Sequence, residues 1–265
     1  MKYIDTHCHL DDEKFDEDRE AAYERLRARG VTRAVCVGSD LRTSESSLRF
    51  AQTHEGVWAA CGVHPHEAAA APEDYLDKLR AISREEKIVA IGEIGLDYYY
   101  DLSPRDVQRR VLNEQLDLAC ELDLPAIFHI RDAHGDMLDI FRARSVLPRG
   151  IIHCFSGSRE TALEYVRMGF YISFSGPVTF KKAPNLQAAA QAVPPERLLI
   201  ETDSPYLAPE PVRGRRNEPA NVYYVCEKLA ALRGMTMEET AALTAENGCR
   251  IYGLPFSCEK RETIV

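Results

Sequence analysis

Short runs rich in Ile, Val and Ala recur along the chain, each followed by a loop and then by a stretch in which apolar and charged residues mix with helical spacing. Eight such runs occupy residues 3–5, 33–38, 57–63, 88–94, 124–130, 150–155, 170–175 and 198–201, and their length and β-branched content are those of strands buried on both faces of a parallel sheet. Between them, residues 16–29 place Ala21, Ala22, Leu26 and Ala28 among charges and end at Gly30, a natural helix stop. Ser103 and Pro104 have the look of a helix start, and the segment to Leu122 gathers Val107, Val111, Leu112, Leu116 and Ala119 on one face. Further helices are predicted over 73–86, 135–144, 160–168, 186–192, 221–233 and 238–247.

Strand–helix alternation of this kind predicts a parallel sheet with crossover helices, and eight units suit closure into a TIM-type (β/α)8 barrel, with distortion from the regular form left open. The competitor, an open doubly wound sheet, usually shows a glycine-rich nucleotide loop after its first strand. Here the first strand runs into Thr6-His7-Cys8-His9 instead. No linker, repeat or compositional break divides the chain, so residues 1–265 are expected to form a single hydrolase barrel, with a loosely ordered charged tail over 257–265.

Composition narrows the class. At 265 residues the chain has the size of a one-domain barrel. No apolar run approaches the roughly 18 residues of a membrane helix, and the N-terminus lacks the features of a leader, so the expectation is a cytoplasmic protein with no membrane association. The eight cysteines form no CxxC pair and are expected to be reduced and packed as small hydrophobes. Cys8 and Cys154 adjoin candidate metal ligands, but strand alternation points them the other way. The formal charge of −9 excludes a protein that coats nucleic acid through a broad basic surface, but not an enzyme that grips a few phosphates with metal ions and a local arginine cluster.

In a barrel, reactive groups come from the C-terminal ends of the strands. His7 and His9 stand at the end of the first, His64 and His66 at the third, Glu93 in the fourth, His129 and His153 at the fifth and sixth, and Glu201 and Asp203 at the eighth. His7 and His9 share a face and can chelate one cation. Glu93 interrupts an apolar run; a salt bridge to a buried arginine would explain it, but a carboxylate bridging two cations explains it better. His129 and His153 taken singly are ordinary core histidines, and taken with the others they complete a second cation site. Glu201 and Asp203 share a face if the strand continues: one binds metal and orients water, acting as general base, and the other supports a ligand or takes an additional ion. We assign the first role to Asp203, with a helix N-cap as its plainer alternative. A donor set of nitrogen and oxygen without thiolate suits Zn, Mn, Fe, Ni or Mg. Two such cations share a hydroxide that is nucleophilic at neutral pH and stabilise charge on an attacked phosphoryl or carbonyl group.

The segments Asp5-Thr6-His7-Cys8-His9-Leu10, Gly62-Val63-His64-Pro65-His66, Gly92-Glu93-Ile94-Gly95-Leu96-Asp97-Tyr98, His129-Ile130-Arg131-Asp132-Ala133, His153-Cys154-Phe155-Ser156-Gly157, Glu201-Thr202-Asp203-Ser204-Pro205-Tyr206-Leu207 and Arg213-Gly214-Arg215-Arg216-Asn217-Glu218-Pro219-Ala220-Asn221-Val222 occur in an order that resembles the TatD family of metal-dependent deoxyribonucleases in the amidohydrolase superfamily. The resemblance covers nearly the whole chain. It implies two divalent cations per subunit (Zn, Mn or Mg), one held by His7, His9 and Asp203, the other by His129 and His153, with Glu93 bridging and His64 facing the scissile phosphate. It departs from the family pattern at Ile130, where a small polar residue is usual. It also implies phosphodiester hydrolysis in DNA, often from a 3′ end, with removal of D-amino acids from tRNA as the alternative, and no obligate protein partner. Arg131, Arg213, Arg215 and Arg216 are then candidates for phosphate binding, and Tyr98, Tyr99 and Tyr100 for stacking on bases. Another superfamily hydrolase of amides, lactones or small phosphoesters shares the same expected fold and metals, and a decayed, non-catalytic barrel is excluded only by the completeness of the ligand set.

Overall fold

The computed structural model describes residues 1–255; the tail expectation for 257–265 lies outside them. Eight strands, β1 (Tyr3–Cys8), β2 (Val31–Val37), β3 (Val57–Cys61), β4 (Ile88–Asp97), β5 (Ala126–Arg131), β6 (Gly150–Ile152), β7 (Tyr171–Phe174) and β8 (Leu198–Ile200), pair in chain order, every ladder parallel. Helices α1 (Arg19–Ala28), α2 (Leu41–Thr53), α3 (Tyr75–Ile82), α4 (Arg105–Glu121), α5 (His134–Ala143), α6 (Arg159–Arg167) and α7 (Pro184–Ala192) return the chain between them, and α8 (Val222–Arg233) and α9 (Met237–Tyr252) follow β8. This is the expected TIM-type barrel, distorted at one seam. β8 has three residues and forms no regular ladder with β1; the gap is bridged by the Thr6 hydroxyl donating to the Ile200 carbonyl at 2.9 Å and by Asp5 accepting from Thr202. No helix among the described residues is long and apolar enough to cross a membrane.

Alternation along the strands sorts the core into two layers. Ile4, Val35, Val37, Ala60, Ala90, Ile127, Ile151 and Leu199 fill the barrel interior, where Cys249, Ile251 and Tyr252 at the end of α9, and Leu254 just beyond it, join them as a plug. Cys8, Cys36, Cys61, Ile94 and Phe128 pack outward against the helices. Cys8 therefore points away from the ligand pair, as expected, and its Sγ lies 3.9 Å from that of Cys36.

Two strands carry one extra residue at the point where they enter the site. From Asp5 to Cys8, β1 takes three steps while β2 takes two, and from Ile91 to Ile94, β4 takes three while β5 takes two. Such bulges re-aim side chains, and here they fall at His7 and Glu93. Backbone crowding around β4 demands glycine: a Cβ on Gly95, at φ +152°, would lie 1.9 Å from the His129 carbonyl oxygen.

Helix α2 is absent from the sequence expectation. Its buried face combines Leu48, Phe50 and Ala51 with Ser44 and Ser47, so its apolar stripe is diluted, although Asp40 caps it in a full capping box with Thr43. Ser103 does not cap α4 either. Its hydroxyl donates to the His66 carbonyl and accepts from Ala69 N, tying the loop before α4 to the segment after β3.

Candidate metal centre

The strand ends converge as the sequence requires. Glu93, 4 % exposed, sits at the centre of a cleft of about 450 Å³ lined by His9, His64, His66, His129, His153 and Asp203, with His7 fully buried beside it. Its two carboxylate oxygens face two different groups. Oε2 lies 3.4 Å from His7 Nε2 and 4.0 Å from His9 Nε2, and Asp203 Oδ1 closes that group at 3.7 and 3.5 Å from the same two nitrogens. Oε1 lies 2.8 Å from His129 Nδ1, 2.7 Å from His153 Nε2 and 3.5 Å from His64 Nε2. The neighbours of Glu93 are imidazoles, so the buried arginine that would make it a plain salt bridge is not its partner.

The far nitrogen of each imidazole decides what the near one offers. His9 Nδ1 donates to the Val37 carbonyl at 2.7 Å, His129 Nε2 donates to Asp97 Oδ2 at 3.0 Å, and His153 Nδ1 faces Glu201 Oε1 at 3.3 Å. The outer nitrogens of His9 and His129 thereby carry a proton, so that in the neutral ring each inner nitrogen turns a lone pair toward Glu93. His64 is the reverse: its Nδ1 accepts from the His66 backbone N–H at 3.1 Å, which puts its proton on Nε2, the atom facing the cleft. In that tautomer His64 offers the cleft a hydrogen-bond donor, although it lies within ligating reach of Glu93 and His129. The centre thus gathers His9 Nε2, His129 Nδ1 and His153 Nε2 around three carboxylate oxygens, Oε1 and Oε2 of Glu93 and Oδ1 of Asp203. A buried set of nitrogen and oxygen donors without thiolate is suited to divalent ions.

The carboxylates are held ionised, and His129 and His153, which face them, favour the charged form: burial opposes it, but Asp97 and Glu93 push His129 up, and Glu93 and Glu201 push His153 well above the ordinary histidine value. Burial pushes the Glu93 carboxyl up, but His153, His64 and His7 outweigh it and hold it well below the usual range. Asp203 is lowered in the same way, against burial, by His9, His153 and His7. His9 is pushed up to about 9; burial opposes this, and the hydrogen bond and charge of Asp203 prevail. His64 is held well below the ordinary histidine value by burial first and by His129 next, consistent with a neutral donor.

A family profile described as "TatD related DNase" matches residues 4–253. The chain belongs to the TatD family. Relatives of this TatD protein include an uncharacterized metal-dependent hydrolase, YabD of Bacillus subtilis, 45 % identical over 94 % of this chain and 98 % of that one. A protein named 3′-5′ ssDNA/RNA exonuclease TatD, from Cronobacter sakazakii, is 36 % identical over 94 % of this chain and 97 % of its own. The crystal structure of YjjV, a TatD homologue from Escherichia coli K12, superposes with a TM-score of 0.90 at 32 % identity, covering 96 % of this chain and 98 % of that one. Membership makes the chain an enzyme of the metal-dependent hydrolase class, and the ligand geometry above is that of its own residues.

Behind the centre of this TatD protein lie two buried carboxylates, Asp97 and Asp5, that sequence reasoning leaves without a role. Asp97, fully buried, accepts from His129 and His66 through Oδ2 and from the Tyr99 and Tyr100 backbone N–H groups through Oδ1, and despite burial its carboxyl is held well below the usual range by those bonds. Asp5 joins β1 to the loop after β8 by accepting from Thr202 N, at 2.9 Å, and from Thr202 Oγ1, at 2.6 Å. Both belong to segments that carry the family resemblance, and a charged residue inside or ending an apolar strand is the signal that marks them. Glu201 does not line the cleft: it is fully buried and accepts from Cys154 N at 2.6 Å while facing His153. Asp203 lies beyond the last β8 residue in the left-handed region, at φ +56°, and its N–H donates to the His7 carbonyl.

The remaining expectations separate. Arg131 lines the cleft, its guanidinium 4.2 Å from the Tyr99 ring and 4.8 Å from the Tyr100 ring. Arg213 and Arg216 do not line it. Arg213 pairs with Glu210, and Arg216 donates twice to Asp18 and once to the Lys14 carbonyl while covering Phe15. Tyr98 is turned away, donating to Asp136. Ile130 packs in the outer apolar layer, so the departure from the family pattern points away from the ligands. Cys154 places its Sγ 3.0 Å from Ser175 Oγ, and burial, then the charges of Asp203 and Glu201, push its thiol well up, which keeps it protonated and a poor metal ligand.

Proposed function

We propose that this TatD protein is a two-metal phosphodiesterase that removes nucleotides from the 3′ end of single-stranded DNA, with His7, His9 and Asp203 holding one cation, His129 and His153 the other, and Glu93 both. The observation that carries the reading is the division of the two Glu93 oxygens between two imidazole groups. Divalent cations so held supply Lewis-acid stabilisation of a phosphoryl group and lower the pKa of water. The chain's residues do the rest. Asp203, ionised and at the cleft wall, accepts the proton of the attacking water. His64 Nε2–H donates to a non-bridging phosphate oxygen. Asp97 and Glu201 keep His129 and His153 in the orientation that presents their lone pairs.

The cleft chemistry favours a strand over a duplex. It is acidic, with Asp11, Asp12 and Glu67 on its walls and Arg131 as its one lysine or arginine among the described residues. Phosphate contacts alone therefore hold little. Large rings supply the alternative: Tyr99 is 59 % and Tyr100 53 % exposed on the β4 side, and Tyr206 and Leu207 are exposed on the β8 side. Unpaired bases stack on such surfaces irrespective of sequence. The Cronobacter relative's name, a 3′-5′ ssDNA/RNA exonuclease, supports the same direction.

The test is degradation of a 3′-labelled single strand by purified protein with added Mn, Mg or Zn, beside duplex DNA, RNA, aminoacyl-tRNA and a small carboxylic ester. The expected result is release of labelled mononucleotide first, from single strands, abolished by chelator. Release of amino acid from tRNA or ester hydrolysis, with intact DNA, would move the activity to a deacylase or esterase on the same centre.

A further inference from the structure

The segment 213–222 reads as a cationic loop, yet its buried polar side chain is Asn217, 0 % exposed. Nδ2 donates to the Thr202 carbonyl at 3.0 Å and to the Tyr206 carbonyl at 2.7 Å, while Oδ1 accepts from Glu218 N at 3.0 Å and from Asn221 Nδ2 at 2.9 Å. Both amide protons and both carbonyl lone pairs are used. The Asn217 backbone N–H adds a bond to the Pro205 carbonyl at 3.1 Å. The two carbonyls held by Nδ2 stand on either side of the Asp203–Pro205 turn.

That turn needs an outside hold. Asp203 is in the left-handed region at φ +56°, which costs a residue with a Cβ and persists only where its surroundings determine it. From one side β1 grips the turn, because Asp203 N donates to the His7 carbonyl and His9 N donates to the Ser204 carbonyl. From the other side, Asn217 closes it. Together they aim the Asp203 carboxylate at His7 and His9.

We infer that Asn217 is a positioning residue for Asp203, and that the loop carrying it serves the metal centre by holding the turn after β8 and not by binding phosphate. The inference rests on the reading that Asp203 holds a cation. Asn217 never touches the metals or the substrate. Its requirement is for two N–H donors from one atom: the isosteric aspartate would set its own oxygen against the Thr202 and Tyr206 carbonyls.

The experiment titrates the metal-free protein with Mn²⁺, reading free ion by its spin resonance, and measures steady-state cleavage of a 3′-labelled oligonucleotide. Asn217→Asp and Asn217→Ala should weaken one Mn²⁺ by about 10–100-fold and lower kcat about as much, with KM within about three-fold. Glu218→Ala, which cuts the same loop's ion pair to Arg25, should leave both at wild-type values. In an Asp203→Asn background, adding Asn217→Asp should cost nothing further in Mn²⁺ affinity. Wild-type affinity and kcat in a folded Asn217→Asp protein would overturn the inference, as would an equal further loss in the Asp203→Asn background. If neither variant at 217 folds at any temperature, the residue serves the fold and the inference is overturned as well. Wild-type Mn²⁺ affinity in Asp203→Asn alone would instead sink the metal assignment beneath it.

Discussion

At the scale of single residues, the centre works by which nitrogen carries a proton. His64 and His153 look alike in the sequence, each closing an apolar strand, and only their outer partners separate them: a backbone N–H behind His64, a carboxylate facing the outer nitrogen of His153. His64→Ala should therefore lower kcat by about 10²–10³-fold, the usual cost of one donor to a developing oxyanion, while the protein still binds its full complement of metal. His153→Ala should lose metal, as elemental analysis of the two variants would show. His134 gives a second residue-scale prediction. Burial lowers its pKa from 6.5 to about 4. The neutral ring is favoured in the folded chain, so the stability it contributes is full above about 6.5 and is lost as pH falls through about 4, on the order of 3 kcal/mol in all. In His134→Phe the loss of stability between pH 6.5 and 4, followed by urea unfolding, should shrink by a comparable amount; an unchanged slope would rule out this residue as its source. The convergence of the candidate histidines was legible because six imidazoles and carboxylates fell in or just after the first, fourth, fifth, sixth and eighth strands. Their tautomers were not, since the partners that fix them, the Val37 carbonyl, Asp97 and Glu201, come from other strands.

At the scale of elements, the helices do more than cover the sheet. Helix α4 buries Gln108 and Gln115 among its apolar residues. Gln115 accepts from Val63 N at 2.7 Å and donates to the Val63 carbonyl at 3.0 Å, one residue before His64, and Gln108 does the same for Asp97. Gln115→Leu keeps the apolar face but strands both Val63 groups, and should cost about 2 kcal/mol in urea unfolding while lowering kcat through His64. An unaltered unfolding midpoint would show that water replaces the amide at no cost. A hydrophobic pattern cannot show such a role, because a buried glutamine on a helix reads as a polar residue on its outer face. The same blindness hid α2, whose inner face carries two serines, whereas the strands were plain because each is a continuous apolar run.

At the scale of the molecule, the barrel gathers residues from 7 to 203 around one carboxylate, on a chain whose net charge of −9 opposes a polyanionic substrate. With Arg131 the one lysine or arginine lining the cleft among the described residues, strand binding should depend weakly on salt, with a slope of log affinity against log salt near −1 instead of the steep slope of a basic groove. Tyr99→Ala with Tyr100→Ala should raise KM for an oligonucleotide by about ten-fold or more, with kcat nearly unchanged, and should spare a small nitrophenyl phosphodiester that offers no bases to stack. A steep salt slope with no effect of the tyrosines would place the binding energy in phosphate contacts elsewhere.

The claim beneath all of these is that Glu93 stands between two cations. Anomalous diffraction from crystals equilibrated with Mn²⁺ tests it most directly. Two peaks about 4 Å apart are predicted, one between Oε2 and the His7, His9 and Asp203 group, the other between Oε1 and the His129 and His153 pair. A single peak, or peaks remote from Glu93, would contradict it.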